Sequence, residues 1–406
     1  MRCPCPHPDP DELSHRATRP RPVNLAGMRA PLVVAALFLT AVSACTGSDS
    51  DPAADPTPSA PATSKDDPDP VPSGSTSSSP AEPRRPDLDP RVIVEGLEVP
   101  WGIAFLPDGS ALIAERDDAT IQRLDPDGTV TEVGTVPDVV PTSEGGLLGL
   151  AVSPTYDDDS TIYAYITTAD DNRVVAMTYD GETLGDAAPL LTAIPAGQIH
   201  DGGRIAFGPD DMLYVTTGET GDGALAQDPD SLGGKILRIQ ADGSIPSDNP
   251  DPTSPIWTRG HRNVQGIDWD DDGRLWATEF GSTMWDELNL IEPGNNYGWP
   301  EDEGITEGGE FTDPLIQWET GEASPSGLAY FDGNLYVAAL KGMRLYQVPV
   351  SGEGTLGEPK ALYTGKYGRL RTVVATPQDT LWFTTSNLDG RGAPAPADDR
   401  IFEIRP

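Results

Sequence analysis

The sequence predicts an all-β fold, a six-bladed β-propeller. Three observations lead there: a weak internal repeat, short β-type runs joined by tight turns, and almost no helical periodicity. The repeat units share an apolar run, a turn rich in Pro, Asp or Gly, and a second apolar run. They begin at Gly102, Gly149, Gly203, Gly266, Gly327 and Leu370.

Each unit contains the material for one blade. The stretches "GIAFLPDGSALIAER" and "GIDWDDDGRLWATEFG" are typical of two strands joined by a tight hairpin. Further strand-like segments follow, such as "KILRIQADG". A pair of β-sandwiches is the alternative fold, but it would not explain the repeat.

The first 45 residues predict a leader, not part of the fold. The segment "MRAPLVVAALFLTAVSAC" has an arginine, an apolar run of signal-peptide length and small residues before Cys45. Its end, "VSAC", resembles the lipobox of bacterial lipoproteins, which implies cleavage before Cys45 and acylation of that cysteine. Translation starts at Met1 or Met28. A transmembrane anchor is the alternative, although the apolar run is short for one.

Residues 46–90 predict a disordered tether, and residues 91–406 the propeller. The tether is made of Pro, Ser, Asp and Ala, with almost no large apolar residue, so it cannot bury enough surface to fold. Cys3 and Cys5 fall in the removed leader, so the mature chain keeps one cysteine and depends on a large core or a bound metal. We expect a protein outside the cytoplasm, lipid-anchored to the outer face of the bacterial cell membrane.

The charge balance narrows the possible partners. The 406 residues carry 65 Asp and Glu against 27 Lys and Arg, a formal net charge of −38. Nucleic acids and anionic lipids require a basic surface, so the balance excludes them, and membrane contact is expected only through the lipid anchor. In so acidic a chain, cations in equivalent positions are informative.

Several polar residues fall where a propeller would bring them together. In a blade, the residues before the first strand and after the second share one face, near the central channel. Those positions contain Glu144, His200, Glu219, Arg262, Asn263, Gly281, Ser282, Lys341, Arg369, Arg371 and Asn387. Loops are polar in any protein, and a lone histidine is more often structural. A ring of cations nevertheless predicts an anionic ligand with several carboxylates, and His200 would be a base that titrates near neutral pH.

The motifs in these positions resemble the soluble glucose dehydrogenase and aldose sugar dehydrogenase family, which uses pyrroloquinoline quinone (PQQ). The resemblance covers nearly all of Val92–Pro406. It rests on "EGGLLGLA", "HDGGRIAFGPD", "QDPDSLGGKILRI", "GHRNVQGIDWD", "DELNLIEPGNNYGWP" and "TTSNLDGRG". It implies a six-bladed propeller that oxidises aldoses to lactones, and PQQ is a tricarboxylate, as the cations require.

The resemblance also implies roles for individual residues. His200 would take the proton from the anomeric hydroxyl as a hydride passes to the quinone, and Arg262 would stabilise charge on the quinone oxygen. Asn263 would hold the same edge of the cofactor. Glu144 stands where the glucose dehydrogenases have a substrate-contacting glutamine, which favours aldoses other than glucose. The cofactor carboxylates and neighbouring oxygens would be bound by Lys341, Arg369 and Arg371.

Calcium is the second cofactor that the resemblance implies. The backbone carbonyls of Gly281 and Ser282 match those that bind the Ca²⁺ sitting on PQQ. Glu287 and Tyr297 match part of a separate structural calcium site. The alternative for Asp286 and Glu287 is ordinary solvated charge.

Two departures and two rival functions remain. Ile199 replaces an acidic residue beside the family's catalytic histidine, and Thr220 replaces a polar residue on the substrate side. One rival is a non-catalytic propeller that binds carbohydrate or protein. The other is a metal-dependent lactonase built on Glu144, Glu219 and Asn387, which would leave the cations unexplained. The sequence does not identify the sugar, the electron acceptor (a quinone or a cytochrome) or the oligomeric state.

Overall fold

The computed structural model describes residues 87–306 and 308–406. They form six four-stranded antiparallel sheets, which confirms the prediction of a six-bladed β-propeller. The leader, Cys45 and residues 46–86 of the tether lie outside the described residues.

The first strand along the chain, β1 (Asp87–Glu95), precedes the first blade. Blade 1 consists of β2 (Pro100–Phe105), β3 (Ala111–Glu115), β4 (Thr120–Leu124) and β5 (Val130–Thr135). Blade 2 consists of β6 (Leu147–Val152), β7 (Thr161–Thr167), β8 (Asn172–Thr178) and β9 (Ala188–Ile194). Blade 3 consists of β10 (Ile205–Phe207), β11 (Leu213–Thr216), β12 (Lys235–Ile239) and β13 (Ile256–Arg259).

The second half of the chain repeats the pattern. Blade 4 consists of β14 (Val264–Trp269), β15 (Leu275–Glu279), β16 (Trp285–Ile291) and β17 (Ile316–Glu319). Blade 5 consists of β18 (Pro325–Phe331), β19 (Asn334–Ala339), β20 (Arg344–Pro349) and β21 (Lys360–Leu362). Blade 6 consists of β22 (Leu370–Ala375), β23 (Leu381–Thr385), β24 (Arg400–Arg405) and β1.

Strand β1 closes the ring, because the amino end of the propeller completes the sheet made by its carboxyl end. Asp87 pairs with Arg405, and Glu95 pairs with Arg400. β1 therefore includes residues 87–90, which were predicted from the sequence to form the end of the tether. Cross-strand pairing with β24 orders these residues although their composition resembles that of the tether.

The helices of the described residues are single turns, α1 (Tyr156–Asp159) and α2 (Ala224–Gln227). In this part of the chain no helix has the length and apolar character needed to cross a membrane.

The hydrophobic core lies between the blades. Six clusters of buried side chains each join two neighbouring sheets. The cluster between blades 6 and 1, for example, packs Val94 and Ile401 against Ile103 and Leu124. Each sheet thus buries both faces, which explains why the strands are rich in apolar residues on both sides.

The innermost strands pack backbone against backbone around the axis, and glycine makes this possible. A Cβ on Gly149 would lie 2.3 Å from the carbonyl oxygen of Gly203. A Cβ on Gly266 would lie 2.4 Å from the carbonyl oxygen of Ser326. The glycines that begin the sequence repeats are therefore contacts between inner strands.

A β-bulge accompanies this packing at the start of the inner strand in five blades. Bulges redirect side chains and are common beside active sites. Here they include Trp101, Gln265, Ser326 and Arg371. Arg371 was expected just before the strand; it lies inside β22, where the bulge lets its guanidinium reach Gln265 of blade 4 (3.3 Å).

Replacing Gly266 with Ala tests the inner-strand packing. The new methyl group would collide with the Ser326 carbonyl, so we expect the free energy of unfolding to fall by about 2 kcal/mol. Gly321→Ala is the matched control, because a Cβ there would meet nothing within 4 Å. Denaturant unfolding of both variants measures the difference, and equal stability would contradict the packing argument.

Candidate active site

The backbone of His200 is fixed in the left-handed region, with φ of +59°. Its amide donates to Glu144 Oε2 at 2.8 Å, and its carbonyl oxygen accepts from the amide of Thr220 at 3.2 Å. Gly218 lies so close that a Cβ there would be 1.8 Å from the His200 carbonyl oxygen. A non-glycine residue holds such a conformation only when its surroundings determine it.

The two ring nitrogens of His200 have partners of opposite charge. Its Nδ1 lies 2.5 Å from Glu219 Oε1, and its Nε2 lies 3.0 Å from Arg262 Nη2. Arginine can only donate hydrogen bonds, so Nε2 accepts, and Nδ1 carries the proton that is shared with Glu219. The buried Glu219 carboxylate therefore selects the tautomer in which Nε2 is unprotonated and accepts from Arg262.

Arg262 is held beside Nε2 of His200 by contacts of its amide and of its guanidinium. Its amide donates to Glu279 Oε2 at 2.8 Å, and its Nη1 donates to the Phe280 carbonyl oxygen at 3.2 Å. Burial lowers the pKa of Arg262, while the charges of Glu219 and Glu303 oppose that change. The guanidinium also lies over the Trp299 ring, 5.5 Å from its centroid. Arg262 is thus a pre-positioned cation facing the His200 ring.

Asn263 offers an unused donor in the same place. Its Oδ1 accepts the amide of Gly202 at 3.0 Å, but its buried Nδ2 has no hydrogen-bond partner among residues 87–306 and 308–406. A buried donor left unpaired is costly, so this atom fits a ligand oxygen.

Arg369 and Arg371 share one carboxylate. Asp389 Oδ2 lies 2.8 Å from Arg369 Nη2 and 3.4 Å from Arg371 Nη2. Arg371 also donates to Ser386 Oγ at 3.0 Å, and burial lowers its pKa to about 10. The buried Arg371 and the partly buried Arg369 against one acid leave an excess of positive charge, as an anionic ligand requires.

Lys341 follows β19 and is exposed. In the described part of the chain it makes no hydrogen bond or ion pair. Burial raises the pKa of the Asp286 carboxyl to about 6, and the charges of Arg262 and Lys341 oppose that change. Lys341 is the cation of the group that is most accessible to a ligand.

Glu144 is already engaged by its neighbours. One oxygen accepts the His200 amide, and the other lies 2.6 Å from Arg391 Nη1. Burial raises the pKa of Glu144, but the His200 amide and Arg391 outweigh this and lower it overall. Glu144 is therefore an ionised carboxylate beside His200.

The loop that contains Gly281 and Ser282 is held by two carboxylates. Asp286 accepts the Gly281 amide at 2.9 Å, and Glu303 Oε1 accepts the four amides of residues 282–285 at 2.6–3.1 Å. In a trans peptide the N–H and C=O point in opposite directions, so the carbonyls of Gly281 and Ser282 point away from Glu303. No donor of the described residues reaches either oxygen. A pair of free carbonyl oxygens suits a hard cation.

Glu287 and Tyr297 line one small cavity together with Arg262, Glu279 and Gly281. The Tyr297 hydroxyl, however, is used by the backbone of Leu290 and Glu292. Across the described ranges, no group of three or more His, Cys, Asp or Glu side chains is arranged to hold a metal ion. A structural calcium ion at Glu287 and Tyr297 stays a prediction.

The reading of Asp286 and Glu287 as ordinary solvated charge is wrong, because both are buried. Asp286 binds backbone amides of Gly281 and Ser324. Burial, and then the charge of Glu279, raises the pKa of Glu287. Both carboxyls are part of the framework behind the loop.

The lactonase alternative needs Glu144, Glu219 and Asn387 around one metal. Glu219 instead binds the His200 ring, and Asn387 accepts the Arg369 amide and donates to the Tyr367 carbonyl and Asp398. The structure gives this alternative no support.

The family is decided by the match of residues 97–393 to the Glucose / Sorbosone dehydrogenase model. The chain belongs to this family. The expected resemblance is confirmed, and the protein is an oxidoreductase that acts on sugars.

Several proteins similar to this chain are sugar dehydrogenases. The PQQ-bound aldose sugar dehydrogenase of Streptomyces coelicolor is 53% identical with a TM-score of 0.76, over 80% of this chain and 99% of that one. The aldose sugar dehydrogenase of Escherichia coli is 28% identical over 74% of this chain and 90% of its own. Quinoprotein glucose dehydrogenase B of Acinetobacter calcoaceticus is 33% identical over 54% of each chain.

The sequence indicated no contact or role for several residues of the site. Glu219 stood in a recognised position, but only the structure shows it on the His200 ring. Asp389 and Arg391 lie within the quoted motif "TTSNLDGRG" without an assigned role. Glu303 had no signal, because its contacts are to backbone amides of a separate loop.

Glu303→Ala should loosen the loop at residues 281–285. Removal of the acceptor leaves four amides without their partner, so we expect their hydrogen exchange to accelerate by at least about tenfold. Exchange measured by mass spectrometry or NMR tests this. Glu301→Ala, an exposed glutamate nearby, is the control and should leave these amides unchanged. Unchanged exchange in Glu303→Ala would show that the loop does not depend on this carboxylate.

Proposed function

We propose that the protein is a PQQ- and Ca²⁺-dependent aldose dehydrogenase that oxidises sugars to lactones outside the cytoplasm. The observation that carries the proposal is the unprotonated Nε2 of His200 beside Arg262. A base of this kind accepts the proton of a hydroxyl group as its carbon is oxidised. Nearby, Arg369 and Arg371 share a single carboxylate, so their positive charge is only partly balanced.

The residues present fit PQQ. Its carboxylates and quinone oxygens match the donors of Arg369, Arg371 and Lys341 and the unused Nδ2 of Asn263. The carbonyl oxygens of Gly281 and Ser282 are available for the calcium ion that would accompany it. When bound, PQQ supplies the two-electron acceptor that the amino acid side chains lack.

The chain's own residues handle the proton and the charge. His200 Nε2 takes the proton of the anomeric hydroxyl, and Glu219 stabilises the imidazolium that results, through Nδ1. Arg262 offers a fixed positive charge where negative charge develops, so little reorganisation is needed. We expect the ion-paired Glu144 to contact the sugar and, as a carboxylate, to favour sugar hydroxyl groups that donate.

The cellular setting is part of the proposal. A leader cleaved before Cys45 and acylation of that cysteine would anchor the enzyme to the outer face of the bacterial membrane. The tether would then hold the propeller away from the lipid, and a quinone or a cytochrome would collect the electrons.

Calorimetric titration of PQQ into the full chain tests the cofactor assignment. We expect binding that depends on Ca²⁺ and that weakens at least about tenfold when Arg371 is replaced by Gln, since a buried charge-assisted contact is lost. The titration is repeated with the metal removed by a chelator. Absence of binding in excess Ca²⁺ would reject the dehydrogenase proposal and favour a propeller that binds carbohydrate or protein without catalysis.

Replacement of His200 tests the base. Two variants are made, His200→Ala and His200→Asn, because asparagine tolerates the positive φ of this position. Both should lose aldose oxidation by at least about a hundredfold. PQQ affinity should stay within about twofold of the original protein, because the cations are untouched. Retained turnover with a dye acceptor in both variants would remove His200 from the mechanism.

A further inference from the structure

An ion pair crosses the rim of the channel from blade 6 to blade 2. Arg391 lies in the loop between β23 and β24, and Glu144 lies just before β6. Arg391 Nη1 is 2.6 Å from Glu144 Oε1, and Nη2 is 3.5 Å from Ser143 Oγ. We refer to Arg391 and Glu144 as the rim ion pair.

The rim ion pair is connected to the base through the backbone. The second oxygen of Glu144 accepts the His200 amide at 2.8 Å. That amide belongs to a residue at φ of +59°, where a histidine stays only if its backbone is held. The contact through Glu144 therefore fixes the conformation from which the His200 ring is presented.

The loop that contains Arg391 is connected to Arg369 and Arg371 through Asp389. Asp389 Oδ1 accepts the Arg391 amide at 3.0 Å, and Asp389 Oδ2 binds Arg369 and Arg371. The anchor of the rim ion pair is therefore buried, although the Arg391 side chain is 47% exposed. Glu144, in contrast, is 12% exposed, which keeps the carboxylate in one orientation.

We propose that Arg391 is a positioning residue for catalysis, which orients Glu144 so that Glu144 holds the His200 backbone in its left-handed conformation. The inference rests on the proposed role of His200 as the base. Arg391 touches neither the His200 ring nor any other part of the proposed base. Its effect should therefore fall on the rate of proton transfer and not on cofactor binding.

Three variants isolate the contact. Arg391→Gln removes the charge, Arg391→Lys keeps it, and Glu144→Gln keeps an acceptor for the His200 amide but breaks the ion pair. Arg405→Gln is the matched control, because Arg405 is also exposed (58%) and pairs with an acid, Glu403, on the strand β24. All are made in the full chain.

We expect Arg391→Gln to lower kcat about five- to tenfold with little change in PQQ affinity, the size of effect that a modest shift of a catalytic group produces. Arg391→Lys should recover most of the rate. The double variant with Glu144→Gln should be no worse than the poorer single variant, since both break one contact. Because the Arg391 side chain is 47% exposed, added salt should slow the original protein but not Arg391→Gln.

A readout without turnover completes the test. In the protein without cofactor, labelled with ¹⁵N only at histidine, the His200 amide resonance is assigned by its loss in His200→Ala and should move in Arg391→Gln. It should return towards its original position in Arg391→Lys and stay unchanged in Arg405→Gln. This measures the hydrogen bond to Glu144 directly.

The two arms separate the possible failures. Turnover of Arg391→Gln equal to that of Arg405→Gln, fully additive losses in the double variant, or an unmoved His200 amide would each overturn the positioning role. A loss confined to PQQ affinity would also overturn it and make Arg391 part of the cofactor site. If the original protein neither binds PQQ nor oxidises sugars, the proposed function fails. The resonance of the His200 amide would then still decide whether Arg391 holds that backbone.

Discussion

The close approach of the six inner strands is the constraint on which the rest of the structure depends. Glycines such as Gly149 and Gly266 allow neighbouring backbones to touch, and β-bulges beside them turn side chains such as Gln265 and Arg371 into the channel. The same geometry brings the loops before the inner strands to a common mouth, where Nε2 of His200 lies 3.0 Å from Arg262 and Arg391 reaches Glu144. Packing that stabilises the ring therefore also assembles the site, and substitutions that widen the ring are expected to disturb both.

Charge is distributed unevenly within this frame. The chain as a whole is strongly acidic, yet Asp389 is shared between Arg369 and Arg371, and Lys341 is free of ion pairs in the described residues. The acids near the mouth serve other groups: Glu219 binds the His200 ring, Glu279 binds the Arg262 amide, and Glu303 binds loop amides. Burial lowers the pKa of Arg371, so the positive charge there is costly without a partner. A ligand with several carboxylates would relieve that cost, which is why cofactor and fold should stabilise one another.

The fold and much of the site followed from the sequence because both depend on local pattern. Repeated glycines, turns and apolar runs predicted the blades, and position relative to the strands predicted that His200 and Arg262 would come together, as their 3.0 Å contact shows. What failed depends on contacts between distant segments. Residues 87–90 have a tether-like composition but belong to β1, whose Asp87 pairs with Arg405. Arg371 lies within a bulge, and the buried Asp286 accepts amides of Gly281 and Ser324. Such pairings leave no periodic signal in the chain.

Of the two carboxylates next to His200, Glu219 contacts the ring and Glu144 contacts the backbone. Glu219 lies against Nδ1, so it sets which nitrogen carries the proton. Glu144 acts on the amide, so it sets where the ring is held. A carboxylate suits the second task better than an amide would, because it can accept from the His200 amide and from Arg391 at once with no donor turned towards either. A glutamine at the same position would have to turn its NH₂ group to one of these donors. The glutamate at residue 144 and the arginine at residue 391 thus make one unit, and a change of sugar preference through residue 144 should be coupled to residue 391.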